Sequence, residues 1–131
     1  MAVPEPISLS TVFDSLEFLP DRRPGMDGDP EAKWCDTAAT YRDGGVFVVH
    51  YAGQSEWERH PVGDEVVMVV EGSTTLTLHL DGAEHAITLR SMQMVIVPQN
   101  TWHRFDTPEA AKIMTITPQP TEHSLAGPTD D

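Results

Sequence analysis

No stretch of this chain carries a helical apolar period longer than about two turns, whereas the two-residue period of a strand recurs from position 45 onward. Val46 to Ala52 is rich in valine and aromatics. Glu65 to Glu71 is almost wholly aliphatic, which predicts cover on both of its faces. After a Gly72-Ser73 turn, Thr74 to Leu80 alternates strictly, with Leu76, Leu78 and Leu80 on one face and Thr75, Thr77 and His79 on the other. Asp81-Gly82 marks a hairpin turn. Glu84 to Leu89, Met94 to Val97, Thr101 to Thr107 and Lys112 to Thr117 complete a set of short strands at near-regular spacing. That pattern predicts an all-β sandwich or closed barrel.

The rest of the chain is cut short by its 11 prolines and 9 glycines. Ser10 to Leu19 is the one segment that suits a short helix, with Ser10 or Thr11 as its N-cap and Pro20 ending it. Residues 20–36 read as a long loop, and 118–131 as a polar, proline-bearing tail whose end is expected to be mobile. A length of 131 residues suits one domain with its own core. The expected division is an N-terminal arm (1–44), a barrel core (45–117) and the tail (118–131).

Charge narrows the function classes. Eight Lys and Arg stand against 21 Asp and Glu, a net charge of -13. Such a surface repels phosphate backbones and anionic lipid, so neither nucleic acid nor membrane is an expected partner. The acids are scattered rather than blocked, as solubility alone requires. The longest aliphatic run, Val66 to Val70, is far short of the roughly 20 residues of a membrane helix. Cys35 is the only cysteine, so no intrachain disulfide can form. With no basic start and apolar run at the N-terminus, a cytoplasmic location is expected. Gly-rich phosphate loops, a Gly-x-Ser-x-Gly elbow and cysteine pairs are absent from the sequence.

Two patches concentrate metal-type ligands. Glu58 and His60, two residues apart, point the same way on an extended strand, and Glu65 follows a Pro61-Val62-Gly63 turn that can return it beside His60. The second patch, Pro98 to His103, also lies at a turn-to-strand junction. Imidazole and carboxylate together suit Fe, Mn, Ni or Zn.

These patches resemble the two motifs of the cupin superfamily. In the first, two histidines one residue apart precede a glutamate and then a glycine; here the order is Glu58, His60, Glu65, Gly72. The second, running glycine, proline, glycine, histidine, asparagine, is echoed by Met92, Pro98, Asn100, His103 and Thr107. The resemblance implies a double-stranded β-helix, or jelly-roll barrel, holding one divalent metal ion, with His60, Glu65 and His103 as ligands. Glu58 stands where the first histidine would be, as a fourth ligand or as a catalytic general base. Asn100 replaces a glycine at a turn where Asn tolerates the left-handed conformation.

Strand alternation puts Thr101 and Phe105 on the His103 face, and Val67 and Val69 on that of Glu65. Trp57 and Trp102 flank the patches on opposite parity. His50, His79 and His85 lie off the motifs and read as surface histidines. Glu122-His123 is an unusual pair for a mobile tail. Three functions fit: a metal-dependent enzyme (dioxygenase, isomerase, decarboxylase or lyase) acting on a small carboxylate- or carbonyl-bearing molecule; a non-catalytic module binding a small ligand or metal; and an interaction role. A homodimer is implied by the resemblance and by the apolar faces of Glu65 to Glu71.

Overall fold

A computed structural model describes residues 2–129 and contains one short helix and ten strands. The helix α1 spans Leu9–Asp14, and the strands are β1 Leu19–Arg22, β2 Cys35–Tyr41, β3 Gly44–Gln54, β4 Trp57–Arg59 and β5 Glu65–Glu71. They continue with β6 Ser73–Leu80, β7 Ala83–Arg90, β8 Gln93–Val97, β9 His103–Pro118 and β10 Glu122–Ser124. The expected β class is present, and five of the seven expected strands appear close to their expected limits.

The departures have local causes. The N-cap is Ser8, whose hydroxyl accepts from the Thr11 N–H, so α1 starts earlier than expected and ends after one and a half turns. Pro20 does not end it; Leu19 and Pro20 belong to β1, which runs parallel to β3. The expected loop 20–36 therefore opens with one strand and closes into another. Gly53 takes φ +121 here, and a Cβ on it would stand 2.3 Å from the Arg22 carbonyl oxygen, so only glycine lets β1 approach β3. The expected strands 101–107 and 112–117 are one strand, β9. Its register against β3 jumps from Thr107↔Gly53 to Ala111↔Tyr51, so Pro108 to Ala110 form a bend opposite a single residue.

That bend organises the barrel. The first half of β9 pairs with β4 and β6, and the second half with β5 on one side and β3 on the other. Hairpin β6–β7 extends one wall and β8 and β2 extend the other. Between the walls lies the core, in which Tyr51, Val67, Val69, Leu76 and Ile113 are almost wholly buried. Outside, α1 lies on β3; Phe13 is its one buried side chain, and Val48 beneath is fully buried. The tail is not free throughout: β10 pairs antiparallel with β4, placing His123 opposite Glu58. The last two residues lie outside the described part.

Candidate metal centre

The residues Glu56 to His60 alternate about β4. Glu56, Glu58 and His60 share one side by strand geometry. Trp57 and Arg59 face the other way, where the Arg104 guanidinium covers Trp57 at 4.9 Å and Arg59 covers Trp102 at 4.6 Å. These cation–π stacks hold the strand over the barrel wall. Across the register, His103 opens β9 opposite Glu58, and Glu65 opens β5. All four expected ligands thus converge: one donor atom from each of Glu58, His60, Glu65 and His103 lies within 4.8 Å of the others.

The two imidazoles are oriented from behind. His103 Nδ1 donates to the Thr101 carbonyl at 2.8 Å, and His60 Nδ1 pairs with the Thr121 hydroxyl at 3.0 Å. Both Nε2 atoms therefore turn towards the carboxylates, with His103 Nε2 3.0 Å from Glu65 Oε1 and 3.5 Å from Glu58 Oε1. His60 Nε2 lies 3.1 Å from Glu65 Oε2 yet makes no hydrogen bond, although it is completely buried. A buried polar atom without a partner costs about 1–3 kcal/mol, and one aimed at carboxylates has the environment of a ligand. Thr117 completes the support by donating to Glu65 Oε2 at 2.6 Å.

Electrostatics follow from this packing. Burial alone would push the Glu65 carboxyl up, but His103 and His60 beside it more than reverse this and hold it at about 2. Burial alone would push His103 down, but Glu58 and Glu65 raise it to about 10. Without a cation, His103 is an imidazolium donating from both nitrogens to oxygen acceptors. A divalent ion would replace that charge, and a donor set of two imidazoles and two carboxylates fits it chemically.

The cluster opens into a cavity of about 380 Å³ walled by Trp34, Phe47, Tyr51, Phe105 and Ile113. Phe105 thus serves both core and pocket, and Tyr51 is a fully buried wall. Arg22 also lines it; its guanidinium sits 4.7 Å from the Trp34 ring and 4.6 Å from that of Tyr51, and Asp27 receives it on both oxygens. Cys35 is half-buried at the same wall, and burial pushes its thiol up, away from a thiolate nucleophile. Sequence reasoning missed Thr117, Thr121, Arg22 and Trp34. Only the Glu122-His123 pair signalled that the tail returns to the site.

The model of the cupin domain matches residues 45–117, and the chain belongs to the cupin family. No curated protein sequence matches it significantly. Among solved structures, it is similar to a cupin-2 domain containing protein from Shewanella frigidimarina, at 29% identity and a TM-score of 0.57, over 65% of this chain and 79% of that one. It also resembles a hydroquinone 1,2-dioxygenase solved with Cd2+ and 4-hydroxybenzonitrile, at 18% identity and a TM-score of 0.56, covering 64% of this chain and 63% of that one. A third likeness is to Drosophila melanogaster CENP-C bound to CAL1, at 14% identity and a TM-score of 0.51, over 54% and 59% of the two chains. The last two likenesses show the jelly-roll fold alone. Among the described residues no helix is long and apolar enough to cross a membrane.

Proposed function

We propose that this chain is a small metal-dependent cupin, a single domain over residues 1–131, acting on a small carboxylate- or carbonyl-bearing organic molecule inside the barrel. The observation that carries this is the pair of histidines whose Nδ1 atoms are tied back to Thr101 and Thr121 while His60 Nε2, buried and without a hydrogen bond, lies 3.1 Å from Glu65 Oε2. His60, Glu65 and His103 hold one divalent ion (Fe, Mn, Ni or Zn), and Glu58 is either its fourth ligand or the base. Such an ion polarises a bound carbonyl or carboxylate. Glu58 is the most exposed of the four, at 15% of its side chain, and borders the cavity, where it can accept a substrate proton. Arg22 already has its charge met by Asp27, which leaves it less available to pair with a substrate carboxylate. The aromatic walls exclude water from the rest of the molecule.

The replacement of a motif histidine by Glu58 favours a second reading, a binding module without turnover. Metal analysis of protein purified without added metal decides on the ion. Loss of the ion and of its thermal stabilisation in His60→Gln is expected; a melting temperature indifferent to Fe(II), Mn(II), Ni(II) and Zn(II) would overturn the proposal. Glu58→Gln that retains the ion but loses turnover assigns the base; unchanged turnover rejects that role.

We also infer a cytoplasmic homodimer. Its support is the outer face of the β8–β5–β9–β3 wall, where register aligns Ile96, Val66, Ile116 and Val46 in one row and Met94, Met68 and Met114 in the next. Met94 and Ile96 are exposed there.

A further inference from the structure

Three segments close the mouth of the barrel: the loop after β1, the β3–β4 turn and the tail strand β10. Each contributes one metal-type side chain to a single point. Asp27 comes from the loop, Glu56 from the turn and His123 from β10, and one donor atom of each lies within 4.8 Å of the other two. We propose that Asp27, Glu56 and His123 form a second, outer site for a first-row divalent cation, zinc(II) foremost, which fastens arm and tail across the cavity mouth.

Glu56 is the centre of the argument. Its side chain is more than nine-tenths buried, and its only hydrogen-bonding or ionic partner among the described residues is His123 Nδ1 at 3.0 Å. With one half-exposed partner, that carboxylate has coordinating capacity left for a cation. Asp27 is also largely buried, and the Arg22 guanidinium holds both of its oxygens at 2.8 and 2.9 Å. Oδ1 also accepts from Arg22 Nε at 3.2 Å, so Oδ2, which accepts once, is the oxygen that keeps a lone pair for a cation. With Arg22 counted, the cluster carries a net single negative charge when His123 is neutral, which a divalent ion outweighs. One imidazole and two carboxylates are a zinc-type donor set, and a tetrahedral ion with bonds near 2.0–2.1 Å needs its ligand atoms about 3.4 Å apart. His123, 40% exposed, has the freedom to swing in by that difference.

The outer cluster is distinct from the inner one but adjacent to it. Glu56 and Glu58 share a side of the same strand, and His123 is the register partner of Glu58. His123 and Asp27 line the same cavity as Glu58 and His60. An ion at the mouth would therefore pin β10 down and, with it, the preceding Thr121 that orients His60.

The test is equilibrium dialysis of the chelator-stripped full chain against zinc(II), with metal counted per chain, on wild type, Glu56→Gln, His123→Gln and Glu65→Gln. Two ions in wild type, and one in each of Glu56→Gln and His123→Gln, are expected. Occupancy of the outer site should also slow tryptic cleavage at exposed Lys33 about tenfold in wild type and leave both outer variants unaffected. Two ions retained in Glu56→Gln or His123→Gln would overturn the proposal, as would one ion in wild type that both variants keep. One ion in wild type, lost in the outer variants and kept in Glu65→Gln, would uphold the outer site and reject the inner. Melting curves in chelator that match wild type show that each variant is folded; where one does not match, the remaining outer variant decides.

Discussion

At the scale of single residues, the buried triad of His60, Glu65 and His103 sets how the metal-free protein responds to pH. Glu65, held at about 2 against an ordinary 4.5, contributes stability that is whole above 4.5 and fades as pH falls towards 2. His103, raised to about 10 from 6.5, contributes stability that is whole below 6.5 and fades as pH climbs towards 10. Melting temperature measured in chelator should therefore peak between about pH 4.5 and 6.5 and fall on both sides; an alkaline limb as stable as the peak would contradict the pairing. Met92 makes a separate point. It stands where the motif has glycine and still adopts φ 67, as Asn100 adopts φ 59. A left-handed non-glycine residue costs roughly 1–2 kcal/mol, against about 0.5–1 kcal/mol for the freedom of glycine. Met92→Gly should gain about 0.5–1 kcal/mol in urea unfolding with an unchanged slope.

At the scale of elements, what the sequence made visible tracks what each strand buries. β5 and β6 alternate buried and half-buried residues along their length and were foreseeable to within a residue. β2, Cys-Asp-Thr-Ala-Ala-Thr-Tyr, buries nothing fully and pairs only with β3, so it has no apolar rhythm to read. β10 is held by pairing with β4 and by the Arg59–Glu122 and His123–Glu56 ion pairs, none of which a hydrophobic pattern reports. The clustering of Glu58, His60, Glu65 and His103 was legible because two motifs carry them. Thr117 and Thr121 were not, because the hydroxyls that orient these side chains come from segments remote in sequence. The tail strand has a measurable role: Thr121→Val removes the partner of His60 Nδ1 and should weaken metal binding about 10–100-fold with little change in melting temperature in chelator. Isothermal titration with unchanged affinity would show that the tail merely covers the site.

At the scale of the whole molecule, the two faces of the β8–β5–β9–β3 wall divide labour. Val67, Val69 and Ile113 build the interior, while Ile96, Val66, Met94 and Met68 lie outside. Contiguous apolar surface of this kind marks association. Light scattering at micromolar concentration should give twice the chain mass, and Ile96→Lys should give monomer with the melting temperature little changed. Monomer in the wild type would refute the dimer.

The bent strand β9 has one consequence for motion. From His103 to Thr117 a straight strand would run about 46 Å, yet both residues hydrogen-bond the one carboxylate of Glu65. The strand and that side chain form a closed ring, sealed without a covalent bond. The two walls cannot part at this end until the seal breaks, so breathing of the pocket and loosening of Glu65 are a single event. A small molecule entering the cavity is therefore expected to pass the arm and tail residues that line it, such as Asp27 and His123, rather than a gap between the walls.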